Sequence, residues 1–478
     1  MTARPGPERA RLAVATHRRI LAASVLFALM APGVAFAQTA REQALEARVA
    51  QLERMVEQLA AQQQQTQASV SEAQTQVSEV RAAQITPAAT ATVATATDDA
   101  KPRIQTSPIL PGANPGTAFS YGGFIKMDTI ATDTSDGRIA DGSSGRLFYL
   151  PASIPVGGPT AEGGDAYVDY HAQFSRFWFS ADHVTAGGDK IKAYIEADMF
   201  GGGSNALAGN ETATNTYAVS LRQAYVSYNN WLAGQTWSNF MDVAALPDAV
   251  DFVGPTDGTV FVRQAQTRYT KGAWSFSAEN PQTTVTPYLN GAARFNSGDN
   301  AWPDVTARWQ SKGTWGHFSV AGLLRQFKAG DATDTGASVS VSGRFNLGAN
   351  DDIRYAINGG QGIGRYLAFG LGSDVVATSA TTGDIEAVDG YGAFAAWRHA
   401  WSPTVRTNLM YSMAHFDNDR SLTGFGVTER AHSMHANVIY SPFPKLDIGA
   451  ELIYGERFLE DDREGDLKRL HTHVKYSF

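Results

Sequence analysis

LHTHVKYSF, residues 470–478, closes the chain. Leu470, Thr472, Val474, Tyr476 and Phe478 form one alternate set, apolar but for Thr472 and ending in two aromatics. His471, His473, Lys475 and Ser477 form the other, and Arg469 extends it backward. Successive side chains of a strand point to opposite faces, so this is a two-faced strand that runs to the last residue. An apolar closing strand that ends in Phe is also what the outer-membrane assembly machinery reads, which makes Tyr476 and Phe478 a candidate sorting signal.

The same period of two continues upstream from Phe119. SVSVSGRFNL (338–347) sets Val339, Val341, Phe345 and Leu347 against Ser338, Ser340, Ser342, Arg344 and Asn346. KIKAYIEADM (190–199), VRTNLMYSM (405–413) and LDIGAELIYGER (446–457) alternate likewise. Short turns are expected at 185–190, 229–234, 270–274, 311–316, 347–352, 400–404 and 441–445, with mostly longer, polar Gly- and Asp-bearing loops between them. Seven short turns and the intervening hairpins predict 16 antiparallel strands, an all-β transmembrane barrel with short turns at one rim and long loops at the other. Closure removes the unpaired sheet edges that a bilayer does not tolerate. A soluble sandwich or β-helix is the competing fold, and the recurrent cationic face argues against it.

At 478 residues the chain is long enough for one large domain and an appendage. It contains no cysteine, which excludes disulfides, thiolate metal sites and cysteine nucleophiles. Arg11, His17, Arg18 and Arg19 precede the apolar run 20–37, which ends in Ala35-Phe36-Ala37. That pattern predicts a signal peptide over 1–37, cleaved before Gln38. Leu45, Val49, Leu52, Val56, Leu59, Val70, Ala73, Val77 and Val80 hold one heptad register, so an α-helical coiled coil is expected over 42–84. Residues 85–117, rich in Ala, Thr and Pro, read as a linker, and 118–478 as the barrel. The formal net charge is −8 with no strongly basic stretch, so nucleic acid is not an expected partner.

Parity places many cations on the polar face. Arg308 stands away from Val305, Ala307 and Trp309, and Arg325 away from Phe318, Val320 and Leu324. Arg344, Arg354, Arg406, Arg457, Arg469 and Lys475 follow from the strands above, while both faces around Arg176, Arg222, Arg268 and Arg398 carry apolar groups. Rings of Arg and Lys attract anions, and the planar guanidinium suits carboxylates. The alternative is that these arginines brace the wall against Glu196, Asp198, Asp352 and Glu451. The long segment 238–262 is the candidate constriction loop, with Asp242, Asp248, Asp251 and Asp257 and the stiffening Pro247 and Pro255. Its acids would set a field against the wall cations, or would cap turns in water. His471 and His473 alone are too few for a metal site, and neither metal nor cofactor is expected. The nine tryptophans, Trp178 among them, lie near predicted strand ends in several cases, as in interfacial girdles.

The N-terminal heptads, YGGFIKMD (121–128), FSRFWFSAD (174–182), KAYIEADMFG (192–201), LRQAYVSYNNWLAGQTWSNFMD (221–242), RQAQTRYT (263–270) and the closing strand together resemble the DcaP-like porins of Gram-negative outer membranes. LAGQTWSNFMD is the most specific of these segments. The resemblance implies a homotrimer of 16-stranded barrels, a periplasmic coiled coil and passive uptake of small anionic solutes such as dicarboxylates. The environment it implies is outer-membrane lipid, lipopolysaccharide and the barrel-assembly machinery.

Three other functions compete with the anion-biased channel. One is a general or carbohydrate-preferring porin; a sugar pore would line one side of the lumen with an aromatic ladder, which parity does not assemble. A barrel-wall hydrolase would need a Ser–His pair on the lipid face, whereas the clear histidines point inward, so the chain is not read as an enzyme. A tether or adhesin would not need an open lumen.

Overall fold

The structure, a computed structural model, describes residues 117–158, 163–201, 215, 217–291, 293–381 and 383–478. The signal segment, the coiled coil and the linker up to residue 116 lie outside the described residues; Thr117 already belongs to the first strand.

In chain order the strands are β1 (Thr117–Thr134), β2 (Tyr167–His171), β3 (Arg176–Val184), β4 (Lys190–Gly201), β5 (Ala218–Tyr228), β6 (Trp231–Trp237), β7 (Arg263–Lys271), β8 (Trp274–Glu279), β9 (Thr283–Thr286), β10 (Phe295–Ser297) and β11 (Asp304–Gly313). There follow β12 (Gly316–Ala329), β13 (Ala332–Leu347), β14 (Asp351–Gln361), β15 (Val375–Ala377), β16 (Ile385–Ala387), β17 (Asp389–Ala400), β18 (Val405–Asp417), β19 (Thr428–Phe443), β20 (Leu446–Leu459) and β21 (Glu464–Ser477). Seventeen of these segments share one sheet. Both β2 and β3 pair with β1, so they are one wall strand interrupted at 172–175, and the wall has 16 strands.

The wall closes on itself antiparallel. The first half of β1 pairs with β3, and its second half pairs with β21, from Phe124 opposite Ser477 to Thr134 opposite Leu467. Phe478 completes the seam, because its N–H donates to the Gly123 carbonyl at 3.0 Å. The C-terminal strand is therefore the closing stave.

All seven expected short turns join adjacent strands at one rim. The other rim carries L1 (135–166), L2 (202–217), L3 (238–262), L4 (280–303), L5 (330–331), L6 (362–388), L7 (418–427) and L8 (460–463). L5 and L8 depart from the expected long loops. Gly330 (φ +61°) and Asp462 (φ +63°) supply the left-handed residues that let β12 and β20 reverse within a few residues. L4 and L6 build a second sheet in the order β10-β9-β15-β16, in which β9 and β15 run parallel.

Polarity is inverted relative to a water-soluble domain. Ile125, Met127, Ile195, Val226, Val305, Leu324, Val339, Ile357, Leu409, Met434, Leu452, Leu470 and Val474 are exposed on the outer face. Lys126, Asp128, Thr306, Ser319, Ser340, Ser342, Ser412, Glu451, His471 and His473 are buried on the inner one. Exposed Tyr228, Trp231, Trp274, Trp315, Trp401, Tyr440, Tyr476 and Phe478 gather at the short-turn rim as an aromatic girdle. Trp178 is not part of this girdle. It shares the inner face with Arg176 and Ser180, and its indole lies over Gly122 of β1. The apolar core inside the barrel comes from L3 and L6, through Phe240, Met241, Val260, Ile363, Tyr366 and Leu367.

Candidate functional site in the barrel lumen

L3 follows β6 and is tied to side chains from most of the inner wall. The Val250 N–H donates to Glu451 Oε2 at 2.7 Å, and the Val250 carbonyl accepts from Lys126 Nζ at 2.8 Å. Gly258 approaches β17 so closely that a Cβ there would lie 2.1 Å from the Ala393 carbonyl oxygen, so only glycine fits. Its N–H donates to Ser412 Oγ at 2.7 Å and its carbonyl accepts from Asn358 Nδ2 at 2.8 Å.

The four aspartates of L3 contact the wall directly. Asp242 meets Arg308 Nη2 and His317 Nε2, each at 2.8 Å, and accepts from Ser342 Oγ at 2.9 Å. Burial alone would raise its carboxyl; the His317 hydrogen bond and the Arg308 charge outweigh that and hold it at about 2. Asp248 pairs with Arg406, and Arg398 stands 4.0 Å away. Asp251 accepts from the N–H groups of Tyr149 (2.8 Å), Val253 (3.1 Å) and Gly254 (3.2 Å), with His471 Nδ1 at 3.4 Å. Burial is again overcome by these donors, His471 first, so its carboxyl lies well below the usual range. At Asp257 burial wins: it accepts from Tyr149 Oη and Ser433 Oγ, yet its carboxyl is raised.

L1 also enters the lumen, which the sequence reading did not foresee. Tyr149 is fully buried between Asp251, Asp257 and the His435 ring. Arg457 donates to the Ala152 and Ile154 carbonyls, and Arg469 to the Gly145 carbonyl and Thr132 Oγ1. Both arginines thereby fasten L1.

The other cations fall into two groups. Arg325 is sealed from solvent, bonded to Asp374 at 2.6 Å and to the Gly362 and Gln282 carbonyls, with Asp304 at 3.3 Å. Arg176 and Arg222 share Glu196 and Asp198. Arg354 pairs with Asp352 at 2.7 Å and donates to the Leu246 carbonyl; Lys475 pairs with Asp447 at 3.1 Å. By contrast, among the described residues Arg268 and Arg344 make no salt bridge. Among these residues Arg268 bonds only Gln266 and the Trp237 carbonyl, and Arg344 Nε has no hydrogen-bond partner. Glu451 pairs with His435 rather than with an arginine.

Beneath L3, toward the short-turn rim, lies a cavity of about 770 Å³. Arg268, Arg308, Gln310, Lys312, Asn239 and Asp242 line it. Three cations there face one acid. Sequence parity had brought out Arg308, left Arg268 between two apolar faces, and the loop reading had brought out Asp242. It passed over the Lys126–Asp128–His471 chain, at 2.7 and 2.8 Å, although Lys126 and Asp128 share a face two residues apart in YGGFIKMD. Ser433, His435 and Glu451 form a hydrogen-bonded row in which all three are buried and Ser433 Oγ is committed to Asp257. Among the described residues no cluster of acids and histidines is placed to hold a metal ion.

Residues 142–478 match the family model described as DcaP outer membrane protein. The crystal structure of the outer membrane channel DcaP of Acinetobacter baumannii superimposes with a TM-score of 0.61 at 22% identity, covering 76% of this chain and 98% of that one. OmpT of Vibrio cholerae aligns with a TM-score of 0.45 at 10% identity (77% and 99% covered). An anion-selective porin from Comamonas acidovorans aligns with 0.45 at 9% (76% and 100% covered). No curated protein matches the sequence. With a closed 16-strand wall, an apolar outer face and a polar lumen, this chain is a porin-like outer-membrane channel and belongs to the DcaP outer membrane protein family.

Proposed function

We propose that the barrel is a passive diffusion channel for small hydrophilic solutes, biased toward anionic organics such as dicarboxylates. The observation that carries this reading is the cavity beneath L3, where Arg268, Arg308 and Lys312 face Asp242 alone. Arg344, which has no salt bridge among the described residues, adds a further inward cation. Arg354, Arg406 and Lys475 are neutralised in contact pairs with Asp352, Asp248 and Asp447, Arg325 with Asp374, and Arg457 and Arg469 are spent on the L1 backbone, so the bias rests on these few groups. L3 is the constriction. The mature chain starts at Gln38, assembles as a trimer with 42–84 as a periplasmic coiled coil, and enters the lipopolysaccharide-bearing membrane through the assembly machinery that reads Tyr476 and Phe478. A general or carbohydrate-preferring porin without anion selectivity is the alternative.

The test is the reversal potential of the purified protein in a salt gradient, repeated with a small dicarboxylate. Anion preference with current block is expected. One charge about 4 Å from a hydrated solute is worth about 1 kcal/mol in water. Arg344→Ala is therefore expected to weaken dicarboxylate block about five-fold. Cation preference without block would remove the anionic bias and leave the general porin.

A further inference from the structure

Most of the inner wall carries small polar side chains such as Ser319, Ser340, Ser342, Ser412 and Ser433. On three consecutive strands it carries rings instead. Trp178 of β3, Tyr194 of β4 and Tyr225 of β5 stand side by side, half-buried on the lumen face. Tyr194 lies directly opposite Tyr225, and Trp178 is its diagonal neighbour across the β3–β4 ladder. The centroids of Trp178 and Tyr194 are 5.9 Å apart at 24°, and those of Tyr194 and Tyr225 are 5.2 Å apart at 26°. Three near-parallel rings therefore form one continuous row across the wall.

The surroundings hold that row against the wall. Gly122, opposite Trp178 on β1, leaves the bed for the indole, since a Cβ there would meet Cζ2 at 2.6 Å. Tyr194 Oη donates to Glu196 Oε2 at 3.0 Å, and Glu196 is fixed by Arg222 at 2.8 Å. Lys192 Nζ stands 5.7 Å from the centre of the Tyr194 ring and 3.5 Å from Asp182. Lys192 is thus paired with Asp182 and Glu196 with Arg222, while Arg268, which makes no salt bridge among the described residues, stands within electrostatic reach of Tyr225 at one end of the row. Together they leave hydrogen-bonding atoms at the edges of an apolar strip.

We propose that Trp178, Tyr194 and Tyr225 are a sliding track for pyranose sugars. A pyranose has a flat C–H face that packs on an aromatic ring, and equatorial hydroxyls that need donors and acceptors around the rim of that contact. Asp182, Lys192 and Glu196 occupy that rim. Sugars then pass along this wall, while the unpaired cations act on anions. The proposal rests on the channel reading.

The experiment records single-channel current of the purified full-length protein while maltotriose or sodium benzoate is added. Maltotriose is expected to interrupt the current. Loss of one stacking ring weakens such contacts about ten-fold or more, so Tyr194→Ala and Tyr225→Ala should each lower apparent maltotriose affinity by that order. Tyr194→Phe keeps the ring face and is expected to retain most of it, which separates stacking from the hydroxyl bond to Glu196. Trp178 is left intact because its indole covers Gly122. Undisturbed current with maltotriose, or equal interruption in wild type and Tyr194→Ala, overturns the proposal while leaving the channel reading in place. Interruption by benzoate alone also overturns it and gives the row to aromatic anions. A wild-type protein without conductance overturns both.

Discussion

Asp251→Ala is expected to release L3 and raise the open-channel conductance. The carboxylate takes the Tyr149, Val253 and Gly254 N–H groups and stands beside His471, so it ties L1, L3 and β21 together. Each buried donor left without an acceptor costs about 1–3 kcal/mol, and three of them put the loss at roughly 3–9 kcal/mol. The 16-strand ladder does not use this group, so the barrel should fold and insert while its interior loosens. Single-channel recording and thermal unfolding of the variant check this; unchanged conductance with unchanged melting would refute the anchor. The effect has a pH signature. A carboxyl held below its ordinary range lends its stability in full above about pH 4 and loses it as pH falls through the lower folded-state value. The melting difference between wild type and Asp251→Ala should therefore be largest near neutrality and shrink in strong acid.

Arg325→Met should unfasten the second sheet. Its guanidinium reaches Asp374, Asp304 and the Gly362 and Gln282 carbonyls, linking β12 to both L4 and L6 with no exposed surface. Removing one member of a buried pair typically costs about 3–5 kcal/mol, because the partner charges stay behind unpaired. Arg365 and Tyr366 still reach Asp304, which limits the loss there. Limited proteolysis should cut residues 280–303 and 362–388 in the variant while the wall strands stay resistant. Arg325→Lys should fail to rescue, since a single ammonium cannot span the same four acceptors. Equal cleavage in wild type and variant would show that β9–β15 pairing suffices without the arginine.

The sequence and the structure agree where the physics is local. The two faces of LHTHVKYSF reappear in β21, with Arg469, His471 and His473 buried and Leu470, Val474 and Tyr476 exposed. The seven short turns reappear because Gly, Asn and Pro at those points act within a few residues. L5 and L8 were missed for a related reason. Their left-handed Gly330 and Asp462 sit in polar stretches that look the same in composition whether they bulge or turn tightly.

The roles of the arginines were not legible in this way. Parity put Arg325, Arg344 and Arg469 on the same inner face, and there they look alike. The structure seals Arg325 between acids, gives Arg469 to the L1 backbone, and leaves Arg344 Nε without a hydrogen-bond partner. Bracing and solute contact differ only in whether a partner arrives, and the partners come from far along the chain. Val250 meets Glu451 across 201 residues, and Ser433 meets Asp257 across 176. The aromatic row is of the same kind: Trp178, Tyr194 and Tyr225 are unremarkable in three separate segments and become one surface only through strand register.

By itself, then, the sequence determined the period of two, the inside and outside of the strands whose two faces differ in polarity, the turns of one rim and the closing stave, because side-chain direction in a strand follows from backbone geometry alone. Only the tertiary structure decided which loops fill the lumen, which cations stay unpaired and which rings line up, because those depend on loop closure and cross-strand register between residues that no local pattern connects.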